Sequence, residues 1–214
     1  MKYELLVFDM DGTILDTLED LKNSTNYTLR LYNMPERTLD EIRAFVGNGI
    51  RRLIEQAVVA GTSDEQITVI HKDFMKYYEV HCADDTKPYE GIIDAIRHLR
   101  SLGYKTAVVS NKAHPAVLEL CDQYFPGLFD LAIGERPDVA RKPAPDMVHM
   151  ALDFFGVSKE KAVYIGDSDV DVATARNSEL DMIAVDWGFR SRECLIEQGA
   201  TTIISKPEEI VNYV

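Results

Sequence analysis

The sequence predicts an α/β fold: a doubly wound parallel sheet with an all-helical insertion near its start. Three observations predict it. An apolar run at residues 3–8 reads as a buried strand and ends in the acidic turn Asp9-Met10-Asp11-Gly12-Thr13. From residue 16 to residue 83 the apolar positions recur at helical spacing, with no strand pattern among them. From residue 84 onward short strand-like runs alternate with amphipathic stretches, which implies a parallel sheet covered by helices on both faces. The expected organisation is a core of residues 1–15 and 84–214, with a helical domain of residues 16–83 inserted after the first strand. There is no repeat and no low-complexity tract.

The elements follow in order. After the acidic turn, Leu18, Leu21, Thr25 and Leu29 fall on one helical face. Thr38-Leu39-Asp40-Glu41 has the spacing of a capping box, in which a hydroxyl and a carboxylate three residues apart satisfy each other's backbone N–H. Ile50, Leu53, Ile54, Ala57 and Val58 form the stripe of a further helix, and Gly61 can stop it. Ser63 to Gln66 repeats the capping spacing ahead of Ile67, Ile70, Phe74 and Tyr77 or Tyr78. In the second part, residues 105–109, 131–134, 162–165, 182–185 and 201–204 read as strands. Pro115 suits the first turn of the helix after the first of these. Tyr77, Tyr78, Phe154 and Phe155 are expected in the core.

Composition narrows the function. The 214 residues are 46% hydrophobic, enough for a packed core. The net charge is −13, which argues against nucleic acid, whose phosphates need a basic surface. No apolar run approaches the roughly 20 residues that span a bilayer, and the first residues lack a signal peptide pattern. No membrane association is therefore expected. Cys82, Cys121 and Cys194 are widely spaced and odd in number, which fits free thiols in a reducing cytoplasm. The five histidines show no zinc-type pairing. An acidic chain repels phosphate at long range, so any phosphate site here must rely on a metal and a few positioned cations.

Three clusters sit at expected carboxyl ends of strands, where open α/β sheets bind ligands. Asp9 and Asp11 are two acids just past a buried strand, costly unless paired or bound to a cation. Gly12 allows a sharp turn there. Asp167 and Asp171 follow another strand in Gly166-Asp167-Ser168-Asp169-Val170-Asp171. They share a face if a helix starts at this point. Asp169 reads as the helix N-cap. Two acidic strand ends repel each other, and a hard divalent cation such as Mg2+ resolves that. Between them, Ser110 offers a hydroxyl and Asn111 an N–H to a phosphate oxygen. Lys142 offers a point charge, with Lys112 and Arg141 as rivals that spacing does not separate.

In this order the four pieces resemble the haloacid dehalogenase (HAD) superfamily. Its pattern is a DxDGT strand end, a strand ending in Ser or Thr, a Lys often followed by Pro, and a final GDxxxD. The resemblance runs over nearly the whole chain, including the helical cap after the first strand, and implies a Rossmann-like, HAD-like core. It implies Asp9 as nucleophile, Asp11 as general acid and base, and Ser110, Asn111 and Lys142 as phosphate binders. It further implies Mg2+ held by Asp9, Asp167 and the Asp11 carbonyl, with Asp171 supporting that site. The expected enzyme is a magnesium-dependent phosphatase acting on a small phosphorylated metabolite through an aspartyl-phosphate.

Two loops refine the resemblance. Val46-Gly47-Asn48-Gly49 with Leu53 looks like the VGxGxxxL segment of phosphoglycolate phosphatases, and equally like a glycine-rich entry to a helix. Gly47, Asn48, Gly49 and Arg51 are the resulting candidates for substrate specificity, with 2-phosphoglycolate as substrate. Arg51 reads either as a carboxylate contact or as a solvated helix residue. Trp187-Gly188-Phe189-Arg190 also resembles that subfamily, with Trp187 and Phe189 as hydrophobic anchors. A phosphotransferase of the β-phosphoglucomutase kind, a pyrophosphatase and a non-catalytic phosphate-binding module are the alternatives on this fold. A dehalogenase or a phosphonatase does not need the acid Asp11.

Overall fold

The computed structural model describes residues 2–47 and 49–214. The chain divides into two compact units, Met1–Leu15 with Pro88–Val214, and Asp16–Lys87. The first strand, β1 (Leu5–Phe8), is buried along its whole length. Two-residue strands, β2 (Leu15–Asp16) and β3 (Lys87–Pro88), form a small sheet of their own where the chain passes from one unit to the other. They are too short to carry a periodic signal, and no strand was expected at either place.

The Asp16–Lys87 unit is built of α1 (Leu18–Leu31), α2 (Leu39–Phe45), α3 (Gly49–Ala57) and α4 (Asp64–His81). Leu18, Leu21, Thr25 and Leu29 are all buried on α1, as their spacing requires. The Thr38 and Glu41 side chains each bond the other's backbone N–H, so the capping box forms. Ser63 caps α4 by accepting the Gln66 N–H. Ile70, Phe74 and Tyr78 are buried on α4. Tyr77 is only half-buried and stacks between Tyr27 and His81.

The other unit carries α5 (Ile92–Ser101), β4 (Lys105–Ala113), α6 (His114–Tyr124), β5 (Leu131–Glu135), α7 (Asp146–Phe155), β6 (Ala162–Gly166), α8 (Asp169–Asn177), β7 (Asp181–Val185), α9 (Arg192–Glu197) and β8 (Ile203–Ile204). Its six strands are ordered β5-β4-β1-β6-β7-β8, and every pair is parallel. Leu5, Val7, Val109, Met147, Val148 and Tyr164 belong to one core cluster between the sheet and α7. β4 runs to Ala113, beyond the expected end at Val109, because its pairing with β5 resumes after a shift of register. Phe155 packs against the core, but its neighbour Phe154 is 62% exposed. Adjacent residues on a helix point about 100° apart, so both cannot face one core.

The second change of unit falls at Lys87/Pro88, four residues later than the expected start of the core at residue 84. The buried carboxylate of Asp20, on α1, accounts for it. It accepts the Asp85 N–H at 2.9 Å and the Thr86 N–H at 2.8 Å. The Thr86 hydroxyl also donates to the Cys82 carbonyl. A hydrogen-bonded turn of polar residues has no apolar period, so sequence pattern alone places it with neither unit. Asp20→Ala should leave these N–H groups without an acceptor and cost about 1–3 kcal/mol in denaturant unfolding. Amide exchange at Asp85 and Thr86 should quicken as well. Unaltered stability and exchange would show that the carboxylate does not hold this segment.

Candidate active site

Parallel pairing aligns three strand ends. Phe8 stands in register with Val108 on one side and Ile165 on the other. Asp9 follows β1 directly, Ser110 lies two residues past that level on β4, and Asp167 follows β6. The Lys142 loop, between β5 and α7, supplies a buried ammonium to the same place. Lys142 Nζ lies 2.7 Å from Asp9 Oδ1 and 2.9 Å from Asp171 Oδ1. Spacing left Lys142, Lys112 and Arg141 equivalent. Geometry gives Asp9 to Lys142, while Lys112 Nζ reaches Asp11 Oδ1 at 3.1 Å.

Asp171 is fully engaged. Its Oδ1 accepts from Lys142 and, at 3.0 Å, from the Tyr164 hydroxyl. Its Oδ2 accepts the Ser168 N–H at 3.0 Å and the Ser168 hydroxyl at 2.5 Å. Four donors occupy about all the lone-pair sites of a carboxylate. Ser168 is in turn the N-cap of α8, its hydroxyl accepting the Asp171 N–H. This corrects the expectation for Asp169. That residue is already inside the first turn, and its carboxylate pairs with Arg190. Ser168 takes the cap because it has extended backbone angles and its hydroxyl reaches the third helical residue.

Asp167 is held from two sides. The Thr13 hydroxyl donates to its Oδ1 at 2.9 Å, and the Phe189 N–H donates to its Oδ2 at 2.7 Å. Trp187 Nε1 bonds the Thr13 carbonyl at 3.1 Å, so the Trp187–Arg190 loop braces the acidic turn itself. The approach is close enough to demand glycine twice. Gly12 has φ of 87°, and a Cβ there would overlap the Asp167 carboxylate. A Cβ on Gly188 would overlap the Gly12 carbonyl and Asp167. Sequence reasoning missed the parts played by Thr13, Tyr164, Ser168 and this loop. A phenol inside an otherwise apolar strand was the available signal for Tyr164, since a buried hydroxyl needs a partner.

Ser110 is buried, and its Oγ accepts the Lys112 N–H at 3.2 Å. The Asn111 side chain clamps the Lys142 backbone. Its Oδ1 accepts the Lys142 N–H at 2.8 Å, and its Nδ2 donates to the Lys142 carbonyl at 3.0 Å. That amide positions the lysine, which leaves only the Asn111 main chain to meet a phosphate.

The remaining candidates belong to the helical unit. Gly47 and Gly49 have φ of 113° and 80°, and α3 starts at Gly49. Asn48 lies outside the described residues. The Arg51 guanidinium is engaged by Glu55 at 3.1 Å, by Asp64 at 2.5 Å and by the Thr68 hydroxyl at 2.9 Å. Arg51 thus meets two carboxylates, Glu55 one turn along α3 and Asp64 at the start of α4.

Asp9, Asp167 and Asp171 each offer a carboxylate oxygen within 4.8 Å of the others. One ammonium stands among three carboxylates. Burial, then the charge of Asp171, pushes Asp9 well above the ordinary carboxylate range despite Lys142. Burial, followed by Asp171, pushes Asp167 up to about 7. Burial disfavours an ionised Asp171 too, but Lys142 and the Ser168 hydroxyl hold it below its ordinary value. Burial alone would lower Lys142, yet Asp171 and Asp9 keep it strongly protonated. This excess of hard oxygen donors fits a divalent cation such as magnesium. With Asp171 saturated, Asp9 and Asp167 are the side chains that retain capacity for it.

A family model described as haloacid dehalogenase-like hydrolase matches residues 6–185. Phosphoglycolate phosphatase of Aquifex aeolicus (strain VF5) is 29% identical over 208 residues, 97% of this chain and 94% of that protein. Phosphoglycolate phosphatase of Rhodobacter capsulatus is 32% identical, over 86% of this chain and 85% of its own length. A crystal structure from Lactobacillus delbrueckii subsp. bulgaricus, provisionally named a phosphoglycolate phosphatase, superposes with a TM-score of 0.94. It is 39% identical and covers 98% of this chain and 97% of its own. Among the described residues no helix is long and apolar enough to cross a membrane.

The raised acids set a pH dependence. A carboxyl whose folded pKa lies above its unfolded value favours folding at low pH, and that contribution is lost as pH rises through the folded value. For Asp167 the window runs from about 4 to about 7. Metal-free protein should therefore lose stability across this window, by about 1.4 kcal/mol per pKa unit separating the two states. Asp171 acts in the opposite sense, its contribution fading as pH falls from the ordinary carboxylate value toward its lowered folded one, which lies below this window. Magnesium or Asp167→Asn should flatten the slope. Denaturant unfolding of chelated protein at pH 4.5 and 8 checks this, and equal slopes in all three samples would refute it.

Proposed function

This chain belongs to the haloacid dehalogenase-like hydrolases and is an enzyme of the phosphatase kind, and we propose that it hydrolyses a small phosphomonoester through a phosphorylated Asp9. The observation that carries this reading is the pairing of Asp9 Oδ1 with the buried Lys142 ammonium beside Asp167. Oδ1 also accepts the Met10 N–H at 2.7 Å. With Oδ1 so occupied, Oδ2 is the oxygen that attacks phosphorus. Phosphate-ester hydrolysis is slow enough in water for enzymes to accelerate it by up to ~10²¹-fold. Splitting it through a carboxylate nucleophile makes two easier steps.

In the first step the Asp9 Oδ2–phosphorus bond forms and the bond to the leaving oxygen breaks. Asp11 gives its proton to that oxygen. In the second, Asp11 takes a proton from water, the water oxygen bonds phosphorus, and Asp9 is released with inorganic phosphate. Lys142 and Ser110 bind phosphoryl oxygens, with the Asn111 side chain fixing the Lys142 backbone. Asp9, Asp167 and the Asp11 carbonyl would hold magnesium, which when bound offsets the negative charge of the carboxylates and of the phosphoryl group. Asp171 serves this site by fixing Lys142.

We propose 2-phosphoglycolate as the substrate and the helical unit as the cap that selects it, Gly47 and Gly49 presenting N–H groups at the start of α3. The names of the curated relatives support that choice. The free thiols of Cys82, Cys121 and Cys194 support a cytoplasmic setting.

Asp9→Asn should keep the fold and lower turnover by about 10⁴-fold or more, because an amide does not replace the nucleophile. Near-normal phosphate release from the purified variant would remove Asp9 from this role. Activity should vanish with chelator and return with magnesium. Phosphoglycolate should give the highest kcat/KM against sugar phosphates, nucleotides and pyrophosphate. A higher value for another ester would displace it as substrate. Phosphoryl transfer to a sugar in place of water would instead identify a phosphotransferase.

A further inference from the structure

A second buried ammonium, Lys112, stands beside the acidic turn and has no part in the steps above. It is 6% exposed, close to the 3% of Lys142. The two lysines divide the two acids between them. Lys142 takes Asp9, and Lys112 Nζ lies 3.1 Å from Asp11 Oδ1. Their surroundings differ. Lys142 also bonds Tyr164 and Asp171, deep under the site. The Asp11 side chain is 23% accessible, against 10% for Asp9. Asp11 therefore stands toward the mouth of the site, where a leaving group departs.

Lys112 is fixed in its own right. Along β4, Ser110 and Lys112 are buried while Asn111 and Ala113 are half-buried, the alternation of a strand. The Lys112 N–H donates to Ser110 Oγ. Its carbonyl faces Gly134 on β5 so closely that a Cβ there would overlap it. Burying a lysine costs several kcal/mol unless a charge meets it. A lysine placed at such cost on a rigid strand holds the group it meets in one orientation.

We propose that Lys112 is a positioning residue that acts through Asp11. Its ammonium holds Oδ1, which aims Oδ2 at the oxygen between phosphorus and the leaving group. The proton transferred to that oxygen comes from Asp11 Oδ2, and the Lys112 ammonium keeps all three of its own. The inference rests on the reading of Asp11 as general acid.

The test compares leaving groups. A phenolate departs with little protonation, whereas an alkoxide needs the acid. kcat/KM, which reports the steps up to departure of the leaving group, is measured for p-nitrophenyl phosphate, glycerol 2-phosphate and 2-phosphoglycolate. Lys112→Met should lose about 10²-fold on both alkyl esters, the range of one general acid, and at most a few-fold on the aryl ester. Asp11→Asn should show the same selectivity. Lys112→Arg, which keeps the charge, should restore much of the alkyl activity, and it remains informative if the methionine variant does not fold. Equal losses on all three esters in folded variants would overturn the inference, since a merely structural or phosphate-binding lysine gives that pattern. A loss confined to 2-phosphoglycolate would overturn it too, by showing contact with the substrate carboxylate. A wild-type protein that hydrolyses none of the esters would instead refute the reading of the chain as a phosphatase.

Discussion

The Lys142 ammonium, buried between Asp9 and Asp171, is the interaction on which the rest of this site depends. An ion pair removed from water is stable only when its geometry is good and its remaining hydrogen-bonding capacity is met. The chain meets both demands. The Asn111 amide grips the Lys142 backbone through both its N–H and its carbonyl. The phenol of Tyr164 bridges the lysine and Asp171, and the Ser168 cap takes the other Asp171 oxygen. Residues from β4, β6, α8 and the loop before α7 thus converge on one charge.

That arrangement divides labour among the acids. Asp171 spends its lone pairs on Lys142, Tyr164 and Ser168, which makes it an anchor. Asp9 directs one oxygen, Oδ1, to both Lys142 and the Met10 N–H. Asp167 is held by Thr13 and the Phe189 N–H, and burial followed by the Asp171 charge pushes it up to about 7. The Trp187–Arg190 loop matters because it supplies that N–H and packs Gly188 against Gly12. Its aromatic residues first read as hydrophobic anchors, and Phe189 is indeed buried. The backbone between them does the chemistry-facing part, and backbone donors leave no mark in composition.

Much of the architecture was legible because it rests on local period. The helical faces of α1 and α4 follow from side chains repeating at 3.6 residues, the Thr38–Glu41 capping box from its three-residue spacing, and the buried strands β1 and β6 from short unbroken apolar runs. The misreadings fall where period is silent. Asp169 looked like a cap because acids are good caps, but Ser168 had the backbone angles for it. Phe154 looked buried because it is aromatic, yet its neighbour Phe155 holds the core-facing position.

By itself the sequence determined the α/β class, the helical insertion and the identity of the acids at two strand ends. These are properties of short segments, set by hydrophobic period and by the cost of carboxylates beside buried strands. Only the tertiary structure decided which lysine meets which acid, that Asn111 holds Lys142, and that Thr13 and Phe189 hold Asp167. Those choices join residues separated by 22 to 154 positions in the chain. No local rule ranks two lysines and an arginine of similar reach, since the sheet order and register alone bring one of them to Asp9.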